Sequence, residues 1–257
     1  MADPSTASVV KVDPATGHVE DNVRLQSRRA DMSFAVGQSS VWVVAKLGVS
    51  AIPGDVDTLF RIDPGNDRVI ARIPIGPGGE GVAVDRTGVW ALLSQGSLVQ
   101  IDAGTNRAKR PIPVASHASG IAVAGGSVWV SDNLEGAVYQ VDPLSHQVHT
   151  IKLQGGADSI AADSTGVWVL DSASGTVVRI DPSSRDIGDP IRVGEKPSGI
   201  AVGAGSVWVA DPGEGSVWRI NAITGEPTSF PVGSDTHPGA VSVGEGGVWT
   251  TVESTQP

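Results

Sequence analysis

The sequence predicts an all-β chain, a six-bladed β-propeller of four-stranded antiparallel blades, and three observations predict it. A Val-Trp pair recurs at Trp42, Trp90, Trp129, Trp168, Trp208 and Trp249, at steps of 39 to 41 residues after a first step of 48. A branched residue followed by a turn residue recurs in step with it, at Val12-Asp13, Ile62-Asp63, Ile101-Asp102, Val141-Asp142, Ile180-Asp181 and Ile220-Asn221. The chain also starts and stops partway through a repeat. Short strands repeated every 40 or so residues are the pattern of propeller blades.

One unit, Gly199 to Val232, justifies the strands. Gly199-Ile200-Ala201-Val202 is a first short apolar run, closed by a Gly-Ala-Gly turn. Ser206 to Val209 is a second, rich in β-forming residues. Asp211-Pro212-Gly213-Glu214-Gly215 is dense turn chemistry, Ser216 to Ile220 a third strand, Asn221 to Gly225 a turn, and Thr228 to Val232 a fourth strand. The first strands of blades two to five then fall at Val82–Val84, Ile121–Val123, Ile160–Ala162 and Ile200–Val202. The Trp row sits in the middle of second strands, so its indoles are expected to pack between blades, and Trp218, on a third strand, is expected in the core.

The ends place the sixth blade. Ala2-Asp3-Pro4 and Ser8 to Asp13 match Ala210-Asp211-Pro212 and Ser216 to Asn221, whereas Gly239 to Val243 and Gly247 to Thr250 match first and second strands. Residues 1–257 are thus expected to form one domain whose sixth blade is split, 1–26 plus 238–252. Pairing the ends would remove two open sheet edges. A start inside a blade further suggests a piece of a longer protein.

Composition narrows the partners. The chain has 18 Lys+Arg against 28 Asp+Glu, a formal net charge of −10. Nucleic acid and anionic membrane surfaces are therefore not expected as partners. Apolar runs stay short of the roughly 20 residues of a membrane-spanning helix, so no membrane insertion is expected. The absence of Cys excludes disulfides and Cys-ligated metal.

Candidate binding residues come from two places. Blade one carries an enlarged loop between its second and third strands, with Lys46, Asp55 and Asp57. The segments leading into each first strand are the second source, because in a propeller they surround the channel mouth. They carry Asp31, Glu80, His117, Asp158, Lys196 and His237, with Ser119, Ser159 and Ser198 beside three of them. These positions diverge in charge and type where the rest of the repeat agrees, as expected if they form a ligand-binding mouth rather than scaffold. His117 and His237 have the chemistry of a general base or metal ligand. Asp132, Asp171 and Asp211 each precede a Gly by four residues and read as acceptors for their own loops' N–H groups. His18, His146 and His149 read as solvated. No nucleophile elbow, P-loop or H-E-x-x-H occurs, so no catalytic residue, bound metal or cofactor is expected.

Stretches such as PSGIAVGAGSVWVAD resemble bacterial NHL and YVTN type β-propellers, including streptogramin (virginiamycin B) lyase-like propellers, along the whole chain. The resemblance implies either of two roles. Propellers of this type serve as extracellular sensor domains of actinobacterial transmembrane Ser/Thr kinases. The lyase members use His and Glu at the mouth with Mg²⁺ to open a cyclic depsipeptide, and His117 and His237 fall at comparable lead-in positions. The expectation is a non-catalytic binding or sensor domain at the cell surface, tethered by a segment outside this sequence. Its ligand would be a small molecule, glycan or protein at the mouth. The alternatives are a metal-dependent lyase and a structural scaffold.

Overall fold

The computed structural model describes residues 8–12, 18–25, 32–45, 56–232, 236–244 and 247–254. Among them there is no helix, and every sheet is antiparallel. The chain falls into two compact units, Met1–Ala118 and Ser119–Pro257.

The first unit holds a hairpin and two blades. Strands β1 (Ser8–Val12) and β2 (Val19–Arg24) form a two-stranded sheet. Blade one runs β3 (Met32–Gly37), β4 (Ser40–Ala45), β5 (Asp57–Asp63) and β6 (Arg68–Gly76) in chain order. Blade two is β7 (Gly79–Val84), β8 (Val89–Leu93) and β9 (Ser97–Asp102), then a broken fourth strand. Its two pieces, β10 (Arg107–Ala108) and β11 (Ile112–Pro113), both pair with β9. The break falls at Lys109-Arg110-Pro111, and Pro111 has no N–H for the ladder.

The second unit repeats the blade three times. The blades are β12 (Ala118–Ala124) to β15 (Val148–Lys152) with β13 (Ser127–Asp132) and β14 (Ala137–Val141) between them. Next come β16 (Ser159–Asp163), β17 (Gly166–Asp171), β18 (Thr176–Ile180) and a two-residue β19 (Ile191–Arg192). The last is β20 (Gly199–Gly203), β21 (Ser206–Asp211), β22 (Ser216–Asn221) and β23 (Pro227–Pro231). A two-stranded sheet, β24 (Thr236–Gly244) with β25 (Gly247–Ser254), follows.

The turns between third and fourth strands are held as their sequence dictates. The side-chain oxygen of Asp63, Asp102, Asp142, Asp181 or Asn221 accepts the backbone N–H two residues on, at 2.9 Å in each case. Four residues past each of these lies a left-handed residue: Asp67, Asn106, His146, Arg185 or Gly225. Gly, Asn, Asp and His take that conformation more readily than other residues, so Arg185 is the one held there by the turn.

Blades pack through the Trp row and a second recurring contact. Trp42, Trp90, Trp129 and Trp168 are fully buried, and Trp42, Trp129 and Trp168 lie in clusters that draw on the following blade. The expectation for the row fails at its end: Trp208 is half-buried and Trp249 is 57% exposed. Trp249 lies on the two-stranded β24–β25 sheet. Trp218 is half-buried against the core of β21 and β22. The second contact runs from a polar residue on strand three to the next blade's turn. Arg61 donates to Ala103 O at 2.7 Å and Asn106 Oδ1 at 2.8 Å. Gln140 donates to Pro182 O at 3.1 Å. Lys11, on β1, donates to Asp67 Oδ2 at 3.2 Å. The hairpin β1–β2 therefore meets blade one as a third strand meets the blade after it.

Candidate functional site

Two lead-in segments of the second unit, those to β16 and β20, are built the same way although they carry different side chains. At the end of β17, Asp171 is buried, and its Oδ1 accepts the N–H groups of Ala173 and Ser174 at 3.0 and 3.1 Å. Its Oδ2 accepts Gly156 N–H, 2.9 Å away on the lead-in to β16. Asp158, on that lead-in, returns the contact: its Oδ2 accepts Ser172 N–H at 2.7 Å. At the end of β21, Asp211 accepts Gly213 N–H within its own loop at 2.9 Å, and Glu195 and Lys196 N–H from the lead-in to β20 at 3.0 and 3.2 Å. The sequence reading of these Asp residues as loop acceptors holds, but it missed their larger role. Each carboxylate ties a loop to the lead-in of its own blade.

Hydrogen-bond donors settle the charge of Asp171. Burial alone raises the Asp171 carboxyl, but the Gly156 N–H and the Ser174 hydroxyl and N–H outweigh it, and the net shift is downward. Asp181 lies at a turn, where the Ser183 hydroxyl and the Ser184 and Ser183 N–H groups pull it down to about 2.

Two predicted residues of the second unit meet on one loop. The Lys196 backbone is held by Asp211, and its stem lies against Gly213, where an added Cβ would stand 3.0 Å from Lys196 Cβ. His237 Nδ1 is 2.9 Å from Pro212 O. A carbonyl only accepts, so Nδ1 carries the proton and Nε2 is the basic nitrogen of the neutral ring. Both side chains are exposed. Asp158 belongs to the preceding blade, on the lead-in to β16, and is bonded to the loop after Asp171.

In the first unit, Glu80 is the bulged residue of β7, since the register jumps between Gly79 and Gly81. A bulge re-aims its side chain relative to the strand. The bulge is anchored from below: Asp57, buried, accepts Gly79 N–H at 2.6 Å, and Ser94 N–H donates to Gly78 O at 2.6 Å. Asp57, expected as a loop ligand, is thus a buried anchor of the Glu80 segment. His117 is exposed on the lead-in to β12. Asp31, Lys46 and Asp55 lie outside the described residues.

The lead-in serines are staples between blades. Ser119 Oγ donates to Ala157 O at 2.6 Å, and Ser198 Oγ donates to Gly239 O at 2.7 Å. Ser33 Oγ accepts Val82 N–H at 3.3 Å. Their recurrence on consecutive lead-ins was the available signal, but a short hydroxyl reads equally well as ligand or staple in sequence.

No family model matches the sequence, and no curated protein matches it as a relative. Its likeness is to solved structures. One is a streptogramin B lyase, at TM-score 0.77 and 13% identity, covering 95% of this chain and 83% of that one. Another is the virginiamycin B lyase from Staphylococcus aureus, at TM-score 0.69 and 17% identity, covering 85% and 76%. The fold is a β-propeller. A catalytically inactive His-to-Ala variant of the Staphylococcus aureus enzyme, with quinupristin, is also similar, at TM-score 0.63 and 16% identity over 98% of this propeller and 79% of that chain. At such identities the likeness shows the fold, and the chemistry must be argued from this propeller's own residues.

Proposed function

We propose that this propeller is a six-bladed, single-domain binding module without catalytic activity, whose ligand sits at the mouth ringed by Glu80, His117, Asp158, Lys196 and His237. The proposal adds Asp31, Lys46 and Asp55, outside the described residues, to the ligand-binding set. The observation that carries the reading is the contrast between scaffold and cargo. Asp57, Asp171 and Asp211 anchor lead-in backbones through the same kind of carboxylate bond, while the side chains presented differ from blade to blade. A scaffold needs only the anchors; differing groups held rigidly are what recognition uses. The ligand class is a small molecule, glycan or protein segment, and the setting is a cell-surface sensor domain tethered through a longer chain.

Ring closure belongs to the same proposal. The β1–β2 hairpin supplies strands three and four of the blade begun by β24–β25. Support comes from the Lys11 contact to the turn of blade one, in the register of Arg61 and Gln140. It comes also from the exposure of Trp249, Phe34 and Val36, apolar surface that a finished sixth blade would cover.

One observation favours a second reading, a lyase. The fixed tautomer of His237 leaves Nε2 available as a base or metal ligand, on a fold shared with streptogramin lyases. The two readings separate in one experiment. The protein is screened on glycan and peptide arrays, and in parallel incubated with quinupristin and Mg²⁺ while ring opening is followed by chromatography. Array binding abolished in an Asp158→Ala/Lys196→Ala/His237→Ala variant, with quinupristin intact, is the expected result. Ring opening lost in His237→Ala overturns it in favour of the lyase. Silence in both arms overturns it in favour of a scaffold.

A further inference from the structure

We propose that the edge formed by the fourth strands of blades one and two, β6 and β10–β11, is a docking surface for a linear phosphate polymer lacking bases. The charge of the chain is unevenly spread. Residues 119–257 carry 6 Lys+Arg against 16 Asp+Glu, whereas residues 1–118 carry 12 of each, so the whole net charge of −10 lies in the second unit. Within the first unit, residues 68–79 and 103–118 contain no Asp or Glu but hold Arg68, Arg72, Arg107, Lys109 and Arg110. All five are exposed.

The fold brings the two stretches together. Ala71 of β6 and Ala108 of β10 pack against one core cluster, so the two edges are neighbours. The cations are also not locked in ion pairs. Among the described residues none of the five is in an ion pair. The carboxylates across the ladder from Arg68 and Arg107 are Asp63 and Asp102, and both accept their own turns' N–H groups. Lys109 Nζ donates to Gln100 Oε1 at 2.9 Å, and Arg72 lies 5.9 Å from the centre of the Phe60 ring; both contacts orient a cation without cancelling it. At physiological salt, charges beyond about 8 Å are screened, so this edge meets a partner with its own sign rather than that of the whole chain.

Three features choose the partner. Four of the five cations are Arg, whose planar fork suits oxyanions held in pairs. Pro74, Pro111 and Pro113 interrupt the edge, which disfavours a peptide adding as a further strand. The aromatic residues of positions 56–118 are Phe60 and Trp90, both buried, so the edge offers no platform on which bases could stack.

The test is titration of the protein with long-chain inorganic polyphosphate across a salt series. Five contacts at about −0.7 each predict a slope of log K against log salt of about −3.5, or roughly a hundredfold weakening between 0.05 and 0.2 M salt. The triple variant Arg72→Gln/Arg107→Gln/Arg110→Gln should bring the slope to about −1.4, with an unchanged melting midpoint showing that it is folded. Arg192→Gln, on an edge of the second unit, should leave binding as it was. Absence of binding at low salt, or a triple variant that binds like the parent, overturns the proposal. So does tighter binding of polyglutamate or of oligothymidylate, which would assign the edge to an acidic peptide or to single-stranded nucleic acid.

Discussion

Replacing Asp171 by alanine should cost this propeller a measurable part of its stability, and the geometry of its bonds gives the size. The carboxylate is buried and accepts three backbone N–H groups, from Gly156, Ala173 and Ser174. A hydrogen bond to a charged group contributes about 1.5–3 kcal/mol net, but Ala173 and Ser174 are exposed and water can replace their acceptor. The expected loss is therefore about 2–4 kcal/mol rather than three full bonds. For a chain of this size that corresponds to roughly 5–12 °C in melting temperature. Asp171→Asn separates the two halves of the anchor. Its carbonyl can still serve Ala173 and Ser174, while its amide faces the Gly156 N–H as donor against donor, so about half of the loss should return. Protonation gives an independent arm. The native carboxyl lies below its unfolded value, so its contribution is complete above about pH 4 and fades as pH falls through the native value. The gap between the parent and Asp171→Asn should shrink over that acidic window. Urea unfolding of the three proteins at pH 7 and at stepped acidic pH is the assay. An alanine variant within about 0.5 kcal/mol of the parent at pH 7 would refute the idea that the lead-ins are held by these carboxylates.

Three further outcomes are expected. Gly79→Ala should destabilise by about 1–3 kcal/mol, because its Cβ would stand 2.7 Å from Val44 Cγ1 and 3.2 Å from Asp57 Cβ in a packed site; an unchanged unfolding midpoint would contradict that packing. The Asp181 carboxyl, followed by NMR, should titrate at about 2, and Ser183→Ala should raise it, since the Ser183 hydroxyl is the largest cause of the shift. In a chain with no native Cys, Val9→Cys with Thr251→Cys should form an intramolecular disulfide if β1 pairs with β25 as β22 pairs with β21. A dimer on a non-reducing gel would point to exchange between copies, and a persistently reduced monomer would count against closure.

The parts of this architecture that repeat were legible in the residues. The third-strand pattern, a branched residue followed by Asp or Asn, announced five turns because the stabilising bond spans two residues and needs nothing distant. The Trp row announced the second strands because it recurs at one position of each repeat. What escaped were bonds that close over long separations. Asp57 reads as a loop carboxylate until Gly79, 22 residues on, is seen to donate to it. Asp171 reaches back 15 residues to Gly156, and Ser198 forward 41 to Gly239. Nothing in the composition of a lead-in distinguishes a serine that will meet the next blade from one that will meet a ligand. The exposure of Trp249 escaped for the opposite reason. The repeat places it among buried equivalents, while burial is decided by what packs on that face, which the repeat does not record.

That exposed indole makes the protein its own optical probe. Of seven Trp, four are fully enclosed, and an enclosed indole emits at short wavelength and is shielded from a quencher. Trp249, at 57% exposure, supplies the largest long-wavelength, quencher-accessible share of the emission, beside the half-buried Trp208 and Trp218. The share that iodide can reach thus reports on the state of the β24–β25 sheet with no label attached. If that signal shifts to the blue and becomes protected when the chain is mixed with a partner, or passes from low to moderate salt, the seam has acquired a cover. The colour of the emitted light then becomes a running measure of how much of the population has its seam covered.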